Sequence, residues 1–379
     1  MFPQKLSEVY RTPGDHQPPA DKNLAGNLEY PNLNAADVRA QPANISPQLH
    51  ECWDSIAISE EKEYVLATNR RHGCDWRGMF FGYSESNVGH MTVENADFKL
   101  QSDHVVNIVR YADNNVLLVA PGDTQLQAWS TRSAVYNSKD PFFLFELDKA
   151  VAHNSPISHM SVFKADPQKC VSACASGDLK MWSIIEAGLK SFYHARVSHS
   201  DKFSGLATPA ITASQLVTCD RSGCSRLWDA RAGSPSSTTL FNDADRALSF
   251  TCAAWAAPSE LQGENHVYLG DFDGNVHIAD IRVPCKLQET IQCFENGIVS
   301  QLEINGAHLA VMSNMPASVK IARVNGDGKP EFIYTKENIH RRQTDAIWTD
   351  SRTVLTVGHG RKMAIHQLEL ANSAVDCGD

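Results

Sequence analysis

A repeated segment constrains the fold of this chain more than any other feature. A short apolar segment occurs in six copies, and its fourth residue is Trp in the first three copies. These fourth residues are Trp129, Trp182, Trp228, Ala279, Ala322 and His366. An earlier copy, 78–82, carries Phe81 at the same place. A loop rich in Gly or Asp and a second apolar run precede the copies. The fourth residues of successive copies lie 43 to 53 residues apart.

A strand, a tight turn, a second strand and a variable connection make up one blade of a propeller. A period of about 40–45 residues, lengthened by insertions, is typical of WD repeats. One four-stranded blade cannot bury both of its faces, so it stacks on neighbours, and a closed ring leaves only short protected edges. The seven copies predict an all-β, seven-bladed β-propeller of WD-repeat type over residues 49–370.

The chain before the repeats has a different composition. Residues 1–48 contain seven prolines and few large apolar residues, which predicts a Pro-rich, largely disordered N-terminal leader. Residues 371–379 form a short tail. Two segments, 36–40 and the tail after Leu370, are candidates for the strand that completes the ring.

The net charge limits the classes of partner, and the cysteines indicate the cellular compartment. With 34 Lys and Arg against 44 Asp and Glu, the net charge is −10, which disfavours direct binding of nucleic acid and favours basic protein partners. No apolar run approaches the roughly 18 residues of a membrane span, and the first residues lack the apolar region of a secretory signal. Ten separate cysteines then predict reduced thiols in a cytoplasmic or nuclear protein.

Motifs that carry chemistry are missing from the sequence. It contains no Gly-rich phosphate loop, no nucleophile elbow and no His-Glu-x-x-His segment. The cysteine pairs 170/174 and 219/224 lack a second pair at zinc-site spacing, so we interpret them as buried small hydrophobes. No Asp, Glu or His recurs at inward positions of the blades. We therefore expect no catalytic residue, no metal and no cofactor.

The segment 69–78, which joins two strands of the first blade, is not explained by the repeat. It places Trp76 among charged residues and glycines, although Phe81 already fills the central position of the blade. Trp76 can therefore pack at the edge of the blade, or it can be an exposed anchor for a partner. Trp and Arg are over-represented among such anchors, which contribute about 2 kcal/mol or more when a complex buries them.

The repeats resemble the WD-repeat family, whose characteristic dipeptide occurs once here, as Trp228-Asp229. In that family a His, a strand Ser or Thr, a loop Asp and the Trp form a buried hydrogen-bonded tetrad. The resemblance implies a structural role for eight residues, and these candidates are His104, His153, His199, Asp123, Asp273, Trp129, Trp182 and Trp228.

The first and last blades are similar to a particular WD-repeat family, the methylosome subunits that partner the type II (symmetric) protein arginine methyltransferase. The similar segments are 49–52, 63–67, 73–78, 340–342, 345–348 and 355–358. The resemblance implies that a tryptophan of the first-blade loop, here Trp76, enters a pocket of the enzyme. The implied flanking contacts are Arg70, Arg71, His72, Asp75 and Arg77.

The resemblance favours a non-catalytic scaffold that binds the methyltransferase in a hetero-oligomer and presents Arg-rich substrates such as histone or Sm tails. The alternative is another WD-repeat adaptor, such as a ubiquitin-ligase substrate receptor or a histone chaperone. An enzymatic propeller is the third and least favoured possibility.

Overall fold

A computed structural model gives the fold of the chain. It describes residues 52–72, 75–85, 91–113, 115–131, 145–185, 188–196, 199, 201–232, 237–243, 247–257, 265–314, 316–325, 328–339 and 342–368. The predicted leader, the predicted tail and both candidates for the ring-completing strand lie outside these residues.

Twenty-seven strands form seven antiparallel sheets in the described residues. The first three sheets contain β1 (Trp53–Ile58), β2 (Tyr64–His72), β3 (Asp75–Tyr83) and β4 (Phe98–Ser102); β5 (Val106–Tyr111), β6 (Val116–Pro121), β7 (Gln125–Ser130) and β8 (Phe145–Val151); and β9 (Ile157–Val162), β10 (Lys169–Cys174), β11 (Leu179–Ile185) and β12 (Gly188–Ala195). The fourth and fifth contain β13 (Phe203–Ala207), β14 (Gln215–Asp220), β15 (Cys224–Asp229) and β16 (Ser237–Asn242); and β17 (Phe250–Trp255), β18 (His266–Asp271), β19 (Asn275–Asp280) and β20 (Leu287–Gln292). The last two contain β21 (Val299–Asn305), β22 (His308–Asn314), β23 (Ala317–Val324) and β24 (Pro330–Lys336); and β25 (Gln343–Trp348), β26 (Thr353–Gly358) and β27 (Met363–Gln367).

The seven sheets close into a ring. The first strand of each sheet contacts the first strand of the next, and β25 of the last sheet contacts β1 of the first. The predicted all-β, seven-bladed propeller is therefore confirmed. A 3-10 turn, Ala230–Ala232, follows β15, and no described helix is long and apolar enough to cross a membrane.

The core lies between the blades, in seven apolar clusters that each fill the space between two adjacent sheets. The second strand of a blade contributes to both neighbouring clusters, so strands such as β10 and β14 are buried along almost their whole length. This double burial explains why the sequence shows short continuous apolar runs rather than strict alternation. Each buried Leu or Phe contributes about 1.5–3 kcal/mol.

A polar network joins the first, second and last blades at the centre of the ring. Arg110 of β5 donates from Nη1 to Asp345 Oδ2 of β25 at 3.0 Å and to Ser55 Oγ of β1 at 3.2 Å. Ser55 Oγ itself donates to Asp345 Oδ2 at 2.8 Å. Burial opposes the charged form of Arg110, but Asp345 and Glu303 raise its pKa above the ordinary value. These charge-assisted bonds hold together the two ends of the ring.

The last blade has three strands in the described residues. Cys52, directly before β1, forms an isolated bridge with His359, in the turn between β26 and β27. The chain therefore reaches β1 from the side of the last blade.

Candidate protein-binding hairpin

The hairpin of β2 and β3 is longer than the equivalent hairpins of the other blades. In the fourth blade Phe203 of the innermost strand, β13, pairs with Asp220 of β14. The chain turns directly after Asp220. The equivalent pair of the first blade is Trp53 with Thr68, but there the two strands continue. Four further residue pairs follow, Asn69–Gly78, Arg70–Arg77, Arg71–Trp76 and His72–Asp75. We call these pairs the ribbon.

The register also changes the residue that takes the central position of the first blade. In the fourth blade Leu216 pairs with the central Trp228, and the equivalent pair of the first blade is Tyr64 with Tyr83. Tyr83 is buried, and its hydroxyl donates to the Thr92 carbonyl at 2.8 Å. The assignment of Phe81 to this position was wrong by two residues, because the ribbon lengthens the hairpin without changing its apolar pattern.

The base of the ribbon is held by the second blade. The Asn69 side chain donates from Nδ2 to the Val106 carbonyl at 2.7 Å and accepts from the Val106 amide at 2.6 Å. Across the ribbon, the Gly78 amide donates to the His104 carbonyl at 2.9 Å. A Cβ at Gly78 would lie 2.7 Å from Val106 Cγ2, so only glycine allows this close approach. The ribbon therefore starts from a fixed base.

The structure places all six predicted contact residues in this hairpin. The sequence analysis expected a loop, but the backbone of these residues is strand up to His72 and again from Asp75. Trp76 is directly paired with Arg71, and Arg77 with Arg70. Arg77 is exposed, whereas the side chains of the other five predicted residues lie outside the described part of the chain.

Among the tetrad candidates, the structure brings His199 and Trp228 together in the fourth blade. Thr218 Oγ1 lies 2.6 Å from His199 Nε2 and accepts from Trp228 Nε1 at 2.8 Å. His199 Nδ1 lies 2.9 Å from Asp220 Oδ2. All four side chains are buried, so the tetrad satisfies polar groups inside the blade.

The third blade contains the same arrangement with one replacement. Ser172 Oγ lies 2.8 Å from His153 Nε2 and accepts from Trp182 Nε1 at 2.9 Å. The position equivalent to Asp220 is occupied by Cys174, whose Sγ lies 3.0 Å from Ser176 Oγ. Burial raises the pKa of the Cys174 thiol, but hydrogen bonds with His153, Ser155, Ser176 and the backbone of Asp178 outweigh it and lower the pKa to about 6.

Asp273 does not take the tetrad position of the fifth blade. It is exposed, and the buried acid is Asp271, the last residue of β18. Asp271 Oδ2 lies 2.8 Å from His277 Nε2, and this histidine comes from β19 rather than from the connection before the blade. The acid of a tetrad therefore ends the second strand, and the sequence signal is an Asp directly before the turn.

The candidates of the second blade do not form a tetrad. His104 Nε2 and Asp123 Oδ2 lie 3.7 Å apart, and the His104 side chain is 56% exposed. Trp129 is half-buried and donates from Nε1 to Gln127 Oε1 at 3.1 Å. Val119 stands where Ser172 and Thr218 stand in the next two blades, so no strand hydroxyl is present to join the His and the Trp.

The central channel holds polar residues that the sequence analysis missed. The cavity has a volume of about 800 Å³, and its lining includes Arg110, His159, Glu303 and Asp345. Burial raises the pKa of Glu303 and lowers the pKa of His159 to about 4. These residues differ from blade to blade, so no repeated position could predict them. Asp345 is engaged by Arg110, Ser55 and also Gln301, which donates to Oδ1 at 3.0 Å.

Comparison with known proteins gives a close relative and a shared fold. No family model matches the chain. Protein valois of Drosophila melanogaster is 58% identical over 369 residues, which cover 97% of this chain and 100% of valois. The crystal structure of Chaetomium thermophilum Sqt1, bound to the N-terminus of the ribosomal protein L10, matches with a TM-score of 0.63. That match covers 84% of this chain and 97% of Sqt1 at 11% identity, so it shows the fold alone.

Proposed function

The chain belongs to the family of Protein valois, the WD-repeat methylosome subunits, and on that premise we propose that it is a non-catalytic scaffold for a type II protein arginine methyltransferase. The ribbon of the first blade is the docking element, and Trp76 is its anchor. The flanking contacts come from Arg70, Arg71, His72, Asp75 and Arg77. The scaffold also helps to present Arg-rich substrates to the enzyme.

The observation that carries this proposal is the extra length of the first-blade hairpin. Four residue pairs extend past the point at which the fourth blade turns, and Trp76 lies in one of them. Stable binding of a partner needs an element that projects from the ring without losing its strand register. The two hydrogen bonds between Asn69 and Val106 supply a fixed base for that element. A fixed base lowers the entropy that is lost when the ribbon is bound.

The non-catalytic role is supported by how the polar groups of the channel are used. The Asp345 carboxylate accepts hydrogen bonds from Arg110, Ser55 and Gln301, three residues on three other blades. An acid that is held in this way stabilises the ring and is not set up to exchange protons with a substrate. The described side chains that donate to Asp345 are therefore explained by ring closure.

The charge of the chain supports the proposed substrates. A net charge of −10 attracts cationic segments over distances of about 8–10 Å at physiological salt. Histone and Sm-type tails are rich in arginine, so they fit such a surface. The propeller of Sqt1, which has the same fold, is bound to the N-terminus of a ribosomal protein. On this proposal the scaffold acts in the cytoplasm and also in the nucleus.

Co-purification with the methyltransferase tests the assignment of the anchor. We expect Trp76→Ala to reduce binding by about 30-fold or more, which corresponds to the loss of about 2 kcal/mol. The matched control is Phe272→Ala, since Phe272 is an exposed aromatic residue in the equivalent turn of the fifth blade. It should leave binding unchanged. Circular dichroism and the thermal midpoint should match the wild type for both variants.

Two results would contradict the proposal. Undiminished binding by a folded Trp76→Ala variant would remove Trp76 as the anchor. Failure of the wild-type chain to capture the methyltransferase, together with capture of a ubiquitin ligase or of free histones, would favour the alternative class of adaptor.

A further inference from the structure

The hairpin turn of the third blade brings three potential metal ligands together. A ring nitrogen of His153, Sγ of Cys174 and a carboxylate oxygen of Asp178 all lie within 4.8 Å of one another. Cys174 ends β10, His153 comes from the connection before the blade, and Asp178 directly precedes β11. Nitrogen, sulfur and oxygen ligands in such a group are those that Zn²⁺ prefers.

One of these ligands has a nitrogen without a strong hydrogen bond. His153 is 3% exposed, and its Nε2 is already engaged by the hydroxyl of Ser172 at 2.8 Å. Its Nδ1 is buried, and beyond the interaction of the ring with the Cys174 thiol it has no hydrogen bond. A thiol is a weak hydrogen-bond partner, so a buried imidazole nitrogen beside it recovers little of the hydration that it has lost. Coordination of a cation would satisfy it.

A second imidazole lies near Asp178. His194 of β12 is paired with Lys180, and its Nε2 lies 4.0 Å from Asp178 Oδ2. This Nε2 is also buried without a hydrogen-bond partner. In metal sites a carboxylate that ligates through one oxygen commonly accepts a hydrogen bond at the other. His194 is placed to supply that bond after a small side-chain movement.

We propose that His153 Nδ1, Cys174 Sγ and a carboxylate oxygen of Asp178 bind a thiophilic divalent cation of the Zn²⁺ class. Ligand atoms of a tetrahedral zinc site lie about 3.5 Å apart, so side-chain rotations close the group. Cys174 binds as the thiolate, and its proton passes to solvent. The fourth ligand is a water, which reaches the group beside the exposed residues Ala175 and Ser176. The sequence analysis predicted no metal because it found no second cysteine pair at zinc-site spacing.

The fourth blade contains an internal control for this site. His199, Asp220 and Cys224 form a group of the same ligand types. There, however, Asp220 and Thr218 occupy both nitrogens of His199, at 2.9 and 2.6 Å. Coordination of a cation through either nitrogen would break the contact that this nitrogen makes. We therefore expect the third blade to bind the cation and the fourth blade not to bind it.

The test uses the full chain, freed of metal by a chelator and titrated with Co²⁺, whose bond to thiolate absorbs in the near ultraviolet. The wild type should show this band at one equivalent, and Zn²⁺ should displace Co²⁺. Cys174→Asp should abolish the band and weaken binding about 100-fold or more, because it removes the sulfur ligand. This variant places in the third blade the acid found at the equivalent position of the fourth, so it should remain folded.

Cys224→Ser is the matched control and should keep both the band and the affinity. The proposal is overturned if the wild type shows no thiolate band, if Cys174→Asp binds Co²⁺ with the same spectrum, or if Cys224→Ser abolishes the band. The site does not depend on the methyltransferase, so the result is independent of the proposed docking ribbon.

Discussion

The hairpins of the fourth and first blades begin at the same point of the repeat and end differently. In the fourth blade the second strand ends at Asp220, and the third begins four residues later at Cys224. In the first blade the second strand passes the equivalent residue, Thr68, and pairing continues as far as His72 and Asp75. One blade therefore has a compact turn, and the other has the ribbon.

The difference shows what ends the hairpin of the fourth blade. Asp220 Oδ1 accepts hydrogen bonds from the Ser222 amide at 2.9 Å, the Ser222 hydroxyl at 2.7 Å and the Cys224 amide at 3.0 Å. Gly223 then takes a left-handed conformation, with φ of 78°. Thr68 has no carboxylate that could collect these donors, and its own hydroxyl has no hydrogen-bond partner. A single acid thus closes the turn and completes the tetrad.

Removal of that acid should have the largest effect on stability. Asp220→Ala leaves His199 Nδ1 buried without its partner and releases the amides of Ser222 and Cys224. We expect the free energy of unfolding to fall by about 3–5 kcal/mol, as is typical when a buried pair loses one member. Urea denaturation followed by fluorescence measures this fall.

Asp273→Ala is the control for that experiment, since Asp273 is exposed in the equivalent turn of the fifth blade. It should change the free energy of unfolding by less than about 0.5 kcal/mol. Equal losses in the two variants would mean that the buried acid does not close the turn.

The base of the ribbon should be the next most sensitive position. Asn69→Ala leaves both the amide and the carbonyl of Val106 without their partner, and we expect a loss of about 2 kcal/mol. Asn69→Asp should also be destabilising, because a carboxylate can accept from the amide but cannot donate to the carbonyl. A stability of Asn69→Asp equal to that of the wild type would show that the donated bond contributes nothing.

The contribution of Asp220 to the stability of the fourth blade should also depend on pH. Burial raises the pKa of Asp220, but hydrogen bonds from His199, Ser222 and the Cys224 amide outweigh it and hold the pKa below its ordinary value of 3.8. A carboxyl group with a lowered pKa in the folded state stabilises the protein above pH 3.8, and this contribution is lost as the pH falls through the folded value.

The stability difference between the wild type and Asp220→Asn should therefore shrink as the pH falls below 3.8, as measured by urea denaturation at a series of pH values. Parallel curves for the wild type and Asp220→Asn would contradict the assignment.

The fold could be predicted because its signal is repeated. Seven apolar segments at similar spacing indicate seven sheets, even where the central Trp is replaced by Ala279 or Ala322. The position of that residue in the first blade could not be predicted from the pattern. Residues 79–83 read Met-Phe-Phe-Gly-Tyr, so both Phe81 and Tyr83 fit an apolar segment, and only the pairing with Tyr64 decides between them.

The sites were harder to predict because their signals are single residues. Trp76 was found as a surplus aromatic residue, but the four ribbon pairs depend on strand register. Arg110 and Asp345 meet across the ring, 235 residues apart in sequence, and no local pattern relates them. The buried acids Asp220 and Asp271 are distinguished from Asp123 and Asp273 only by their place at the end of the second strand.

Shortening the ribbon should have the smallest effect on stability. Replacement of residues 70–77 by Asn-Gly keeps Asn69 and Gly78 as the last pair and gives the hairpin a two-residue turn that suits its twist. The removed residues lie beyond the contacts of Asn69 and Gly78 with the second blade, so the free energy of unfolding should change by less than about 1 kcal/mol. Binding of the methyltransferase should be lost. A shortened chain that fails to fold would show that the ribbon also supports the ring, and one that still binds would move the docking surface to another blade.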